Sequence, residues 1–327
     1  MKKKRFLLII GNGFDLELGL KTSYKDFINS KTYEKYSESI SNHPSYKKNY
    51  NIDFDTDIPI FDYLKSVLHI QKWIDLEMEI GKLASRKIKR VDNLTGKYKY
   101  VPAESTPYMM HSFDMLRKCL NEYILGLDIP HVLHNYAAEL IRILAVNEYK
   151  NVDIVTFNYT PLERVTGMEI KVPVHYIHGE ISEGLNPSLI LGVQDDIEID
   201  KSYSYVIKSH SPYYHSSRII DLLEEADEII FFGHSLGETD YPYFSEFFQS
   251  QCKRIEPDKR KKIRIFTFDE KSRLDILYQL RIMNNKQTRL FFENADFALY
   301  RTDDYIDDRK IQVYFNELIN DLSLQIV

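Results

Sequence analysis

Short apolar runs, most of them continuous, punctuate the chain at residues 6–10, 152–157, 172–177, 189–193, 228–232, 263–268 and 290–292. Alternation of apolar and polar positions marks a strand with one wet face. Unbroken runs mark strands covered on both faces, as in a parallel sheet between helices. Amphipathic stretches at 216–226 and 271–283 follow two of these runs. Strand and helix in alternation predict a doubly wound α/β domain.

Between the first run and the second the pattern changes. Residues 29–62 are polar, rich in Ser, Asn, Lys and Tyr, and read as a loop with short helices. Helical stretches are expected at about 70–84, 111–125 and 131–146. The last carries Leu133, Tyr136, Ala137, Leu140, Ile141 and Leu144 at helical spacing. Residues 87–107, basic and then turn-rich, read as a mobile excursion. The expected organisation is a sheet domain built from 1–28 and 151–327, interrupted by a helical insertion, or lid, at 29–150. No fixed-period repeat stands out.

Composition narrows this picture. At 327 residues with 43% hydrophobic and 13% aromatic content, the chain can bury a large core, which excludes global disorder. Its formal net charge of −6 argues against a broad nucleic-acid face. The basic segment 253–262, interrupted by Glu256 and Asp258, reads as a solvated loop. Two distant cysteines, Cys119 and Cys252, make neither a disulfide framework nor a four-cysteine zinc site and fit a reducing cytoplasm. The start, Met1-Lys-Lys-Lys-Arg5, precedes an apolar run shorter than the about 7–15 residues of a signal peptide's core. No run approaches the roughly 20 apolar residues of a membrane span.

Candidate chemistry gathers where strands end. Gly11-Asn12-Gly13 closes the first run, and such a turn lets backbone approach a pyrophosphate at the following helix. A third glycine three residues on is absent, Leu16 standing there, so the dinucleotide fingerprint is incomplete. Asn158 follows the run at 152–157, His178 follows 172–177, and Gly233-His234-Ser235 follows 228–232. In parallel sheets ligands bind at carboxyl ends of strands.

The opening Leu8-Ile9-Ile10-Gly11-Asn12-Gly13-Phe14-Asp15, with Gly19-Leu20-Lys21-Thr22-Ser23-Tyr24 behind it, resembles that of the AbiH abortive-infection family. Thr156–Thr160, Ile177-His178-Gly179 and Phe232-Gly233-His234-Ser235-Leu236 are similar to pieces of the sirtuin-like superfamily. The resemblance implies a three-layer, Rossmann-like, mainly parallel sheet. It also implies an anti-phage protein that takes NAD as substrate and hydrolyses it, without a metal. It implies catalytic roles for Asn158 and His178. Gly11, Asn12, Gly13, Phe14, Asp15, Thr22, Gly233, His234 and Ser235 would contact the nucleotide, with Thr267 and Asp269 on its adenosine side. The sirtuin-like pattern has an acid where this chain has Thr160, and the cysteine pairs of deacetylase zinc modules are missing. Besides the nucleotide, a homo-oligomer or a partner defence protein is left open. Neither a membrane nor nucleic acid is expected as a partner.

These residues suit the chemistry. Breaking the bond between nicotinamide and ribose needs a base, and imidazole titrates near neutrality. It needs a group that orients water, and an amide has both a donor and an acceptor. On residue type alone, His178 is equally a hydrogen-bonded structural histidine. His175 lies three residues before it, on the opposite face of an extended chain, so the two are no natural metal pair. In the expected helix at 70–84, Glu77 falls within the stripe of Ile70, Trp73, Ile74, Leu76, Ile80 and Leu83, while Asp75 and Glu79 point away. A carboxylate there is salt-bridged to an arginine, or lines a cavity as the helix closes over the nucleotide.

Two alternatives come from other classes. One is a catalytically silent nucleotide sensor acting through a partner. The other is a serine esterase, because Gly233-His234-Ser235-Leu236-Gly237 spells a nucleophile elbow. Against the esterase, no histidine follows His234, and the segment after Ser235 delays the next helix.

Overall fold

The computed structural model describes residues 3–42, 59–70, 75–91, 98–102, 105–129, 135–183, 188–214, 218–253, 256, 260–303 and 305–323. The chain forms two compact units. One comprises residues 1–20, 128–177 and 216–327, the other residues 21–127 and 178–215. The division departs from a simple insertion at 29–150. Helix Tyr136–Leu144 belongs with the sheet, because Ala137, Leu140, Ile141 and Leu144 pack into its core. Residues 178–215 belong with the insertion.

The first unit is built on six parallel strands: β1 Phe6–Ile10, β4 Val152–Thr156, β5 Val174–Tyr176, β6 Glu228–Phe232, β7 Lys262–Thr267 and β8 Asp296–Arg301. Their spatial order is β5-β4-β1-β6-β7-β8. Counted within this sheet alone, that is the order 3-2-1-4-5-6 of doubly wound dinucleotide folds. The chain steps outward from β1 on one side, then returns to lay β6 against its other side. The topological switch point therefore lies between β1 and β6, which pair from Phe6↔Glu228 to Ile10↔Phe232.

The unbroken apolar runs have a two-layer explanation. In β1, Phe6, Leu8 and Ile10 face one core with Ala137, Leu140, Ile141, Phe315 and Leu318. Leu7 and Ile9 face the other with Ile219, Leu223, Phe244, Phe248 and Leu280. A strand side chain changes face at every residue, so a strand with helices on both sides must be apolar throughout. At the amino end of the sheet the buried Glu228 is clasped by the Tyr314 hydroxyl at 2.7 Å and by Lys4 at 2.6 Å. That clasp ties β6 to helix Tyr305–Ser323.

Several expected elements differ. Residues 290–292 lie in helix Thr288–Asn294, where Phe291 alone is fully buried and Leu290 and Phe292 are exposed. One buried position in three is a helical pattern, which a short apolar run conceals. The last strand is instead β8, half-exposed at the sheet edge and carrying Asp296 and Arg301. Residues 189–193 are buried but make only an isolated bridge, Val193↔Ile207, and join no sheet.

The second unit contains helices Tyr24–Ile28, Lys31–Ser41, Ile60–Ile70, Leu76–Ala84 and Pro107–Leu125. Phe27, Tyr33 and Phe61 pack ring on ring, with centroids 5.2 and 4.9 Å apart, and the Tyr33 hydroxyl donates to Phe61 O. The single helix expected at 70–84 is two helices. Asp75 caps the second by accepting from the Met78 N–H, while Ile70 ends the first, 84% exposed. Trp73 and Ile74 lie outside the described residues. Glu79 is buried, held by Tyr63 and Lys82, and does not point away. The basic excursion contains an antiparallel hairpin, β2 Lys87–Val91 with β3 Tyr98–Pro102.

Candidate functional site

The turn after β1 is shaped by the turn after β6. Gly11 donates its N–H to Phe232 O at 3.1 Å, and Gly13 donates to Gly233 O at 2.8 Å. A Cβ on Gly11 would stand 2.6 Å from His234 Cα, and one on Gly13 would stand 2.6 Å from Gly233 Cα. Gly233 itself has φ +62°, and its Cβ would lie 2.3 Å from Gly13 C. Glycine at 11, 13 and 233 is thus demanded by a backbone-to-backbone contact at the switch point. The expected reason, room for a pyrophosphate, is not needed to explain it.

Helix Asn12–Glu17 then sends consecutive residues to different tasks. Asn12 is exposed. Phe14 is fully buried edge-on to Phe232, at 5.7 Å between centroids, so it serves the core and not a nucleotide. Asp15 is buried, and its carboxylate is shared by two residues of the loop after β4. Asn158 Nδ2 donates to Oδ1 at 2.9 Å, and Thr160 Oγ1 donates to Oδ2 at 2.6 Å. Asn158 Nδ2 also donates to Gly11 O at 3.1 Å, and the Asn158 N–H donates to Thr156 Oγ1. Burial drives the Asp15 carboxyl up to about 7, against the lowering effect of the Thr160 and Asn158 hydrogen bonds. A neutral donor pair does not compensate a buried charge as a cation would.

His234 is pinned in place. Its ring stands edge-on to Phe157 and Phe244, Nδ1 accepts the Leu236 N–H at 3.0 Å, and Nε2 lies 3.5 Å from Asp240. Burial pushes it down to about 3, so it is a neutral imidazole. Ser235 is exposed, and the next α-helix starts at Tyr241. An elbow helix would start at the serine. With its nitrogens engaged by the Leu236 N–H and Asp240, His234 is not available as a base to Ser235.

Of the remaining candidates, Thr267 stands beside the cluster, since the Gly233 N–H donates to the neighbouring Phe266 O at 3.0 Å. Thr267 ends β7. Asp269 is the N-cap of helix Glu270–Met283, accepting from Ser272 N and Oγ, which holds its carboxyl below the usual range. Its Oδ1 is engaged by the helix. Thr22, Glu77 and His178 belong to the second unit. The Thr22 hydroxyl is buried without a hydrogen-bond partner.

Glu77 and His178 converge on a residue that sequence reasoning missed. Lys208 Nζ donates to Glu77 Oε2 at 2.6 Å and meets His178 Nε2 at 3.1 Å. The three side chains are 2–6% exposed. Burial raises the Glu77 carboxyl, and Lys208 opposes that rise. An ammonium only donates, so His178 Nε2 accepts and the ring is neutral with its hydrogen on Nδ1. The partner of Glu77 is a lysine 131 residues away, not an arginine, and no local pattern announced it. His175 faces Asp153 at 3.1 Å. Among the described residues, no group of three or more His, Cys, Asp and Glu side chains is arranged to hold a metal. No described helix is long and apolar enough to cross a membrane.

A doubly wound, Rossmann-like α/β unit with polar and glycine-bearing loops gathered at its switch point defines the class of this protein. The chain belongs to the bacteriophage abortive infection AbiH family, whose model matches residues 7–257. It is therefore an anti-phage defence protein of the abortive-infection kind. No curated protein matches it in sequence. Among solved structures, a mutant of a Sir2 homologue in complex with ADP-ribose aligns over 99% of this chain and 94% of its own. The identity is 12% and the TM-score 0.34, too weak a likeness to carry an argument.

Proposed function

We propose that this chain defends against phage by hydrolysing NAD to nicotinamide and ADP-ribose. The observation that carries the reading is the meeting of three loops, Gly11–Asp15, Asn158–Thr160 and Gly233–Ser235, at the switch point of a 3-2-1-4-5-6 sheet. Such crevices bind nucleotides because the loops on either side of the reversal leave a gap at the strands' carboxyl ends. In this reading the glycosidic electrons leave with the nicotinamide nitrogen, the water oxygen bonds to the ribose carbon, and a base takes the water's proton. Asn158 orients the hydroxyl or water.

The test follows nicotinamide release by purified protein, alone and with infected-cell lysate. Asn158→Ala is expected to lower the rate about 10²-fold or more through lost positioning. If wild type releases nicotinamide and Asn158→Ala matches it, the positioning role is assigned wrongly. Absence of both NAD binding and NAD loss under these conditions refutes the reading. Binding without turnover favours the silent sensor.

A further inference from the structure

The amide of Asn158 has one orientation open to it. Nδ2 donates to Gly11 O at 3.1 Å and to Asp15 Oδ1 at 2.9 Å. An amide nitrogen carries two hydrogens, so both are engaged. A flipped amide would set its oxygen against a carbonyl and a carboxylate, two acceptors, and lose both bonds. Oδ1 is the part of the amide left for a ligand. Asp15 makes this choice binding. It is 1% exposed, its second oxygen takes the Thr160 hydroxyl, and it lies on a different element from the loop it grips. Its partners are neutral. Among the described residues no charged side chain of its own helix, of the loop after β4 or of the turn after β6 acts on it.

We propose that Asp15 is the positioning residue of this site, fixing the Asn158 amide so that Asn158 acts purely as a hydrogen-bond acceptor for a hydroxyl or water hydrogen of the ligand. The identity of that ligand as NAD rests on the reading above; the orientation of the amide does not. A sugar hydroxyl or the attacking water fits such an acceptor, and a group offering only lone pairs is refused. The grip depends on the charge of Asp15, since hydrogen bonds to a carboxylate are about twice as strong as those to a neutral carboxyl. When Asp15 takes a proton on Oδ2, that hydroxyl donates to Thr160 Oγ1 and the hold on Asn158 weakens.

Nuclear magnetic resonance of the wild-type protein tests this without any assay of activity. The two Asn158 side-chain NH₂ hydrogens, assigned by their loss in Asn158→Ser, are expected to shift together as Asp15 titrates near pH 7. The shift should vanish in Asp15→Asn. An Asn158 amide that does not follow Asp15 overturns the proposal, whether or not the protein cleaves NAD. Where cleavage is measurable, Asp15→Ala is expected to lower kcat about 10²-fold. Asp15→Asn, which keeps a neutral acceptor for Asn158, should lower it only about 10-fold and remove the rise of rate with pH through neutrality. Asn158→Asp places carboxylate against carboxylate and should be inactive. The double variant Asp15→Asn with Asn158→Asp restores a donor facing an acceptor at the contact between 15 and 158, though not at Gly11 O, and should recover at least about 10-fold over Asn158→Asp alone. A folded double variant with no recovery overturns the acceptor role.

Discussion

Two buried side chains in the sheet unit titrate in opposite senses, and their effects on stability are separable. Asp15 is raised from 3.8 to about 7, so folding favours its protonated form. Stability is unaffected below pH 3.8, falls as the unfolded chain ionises, and levels off above about 7. His234 is lowered from 6.5 to about 3, so folding favours its neutral form. Stability falls as acidification protonates the unfolded chain below pH 6.5, and levels off below about 3. Between about pH 4 and 6.5 the two slopes oppose each other, each near 1.4 kcal/mol per pH unit. Asp15→Asn removes one of them. The variant is therefore expected to lose stability more steeply than wild type as pH drops from 6.5 to 4, and to be the more stable of the two at pH 8. Denaturant unfolding across this range checks it; parallel curves for the two proteins would show that Asp15 is not protonated on folding.

At the scale of elements, the turn after β1 and the turn after β6 act as one piece. Gly233→Ala forces a Cβ to 2.3 Å from Gly13 C while keeping a left-handed φ. The expected cost is roughly 3 kcal/mol or more, the sum of left-handed strain and overpacking. Gly167 provides the control. It has φ +65° and nothing within 4 Å of the place a methyl would take, so Gly167→Ala should cost only about 1 kcal/mol. Equal midpoints for the two variants in urea would show that the contact between the turns yields easily. The same contact explains why a Gly-x-Gly motif read as a phosphate cradle also has a purely internal cause.

For the whole molecule, ligand linkage is the plainest test of where function lies. A ligand that binds only the folded state at a hundred times its Kd stabilises by about 2.7 kcal/mol. NAD or ADP-ribose at such excess is expected to raise the melting temperature of wild type by several degrees, and by less for Asn158→Ala. No shift with either nucleotide would remove the sheet unit's crevice as a nucleotide site, whatever the chain's part in defence.

Sequence alone determined the layers and their sense. Unbroken apolar runs such as Phe6–Ile10 and residues 229–232 can be satisfied only by strands buried on both faces, and that requirement is local. It placed Gly11, Asn158 and Gly233 at carboxyl ends of strands for the same reason. Tertiary structure decided everything that depends on a distant partner. β8 is half-exposed, so its residues carry no continuous apolar signal, while Phe291 is buried by its helix's packing. Asp15 and Asn158 stand 143 residues apart, and Lys208 and Glu77 stand 131 apart. Periodicity reports which face of an element is buried, but a hydrogen-bond partner or a backbone contact is set by how the elements pack. That is why Thr160, which departs from the sirtuin-like pattern, gains its meaning only where Asp15 comes from another element to meet it.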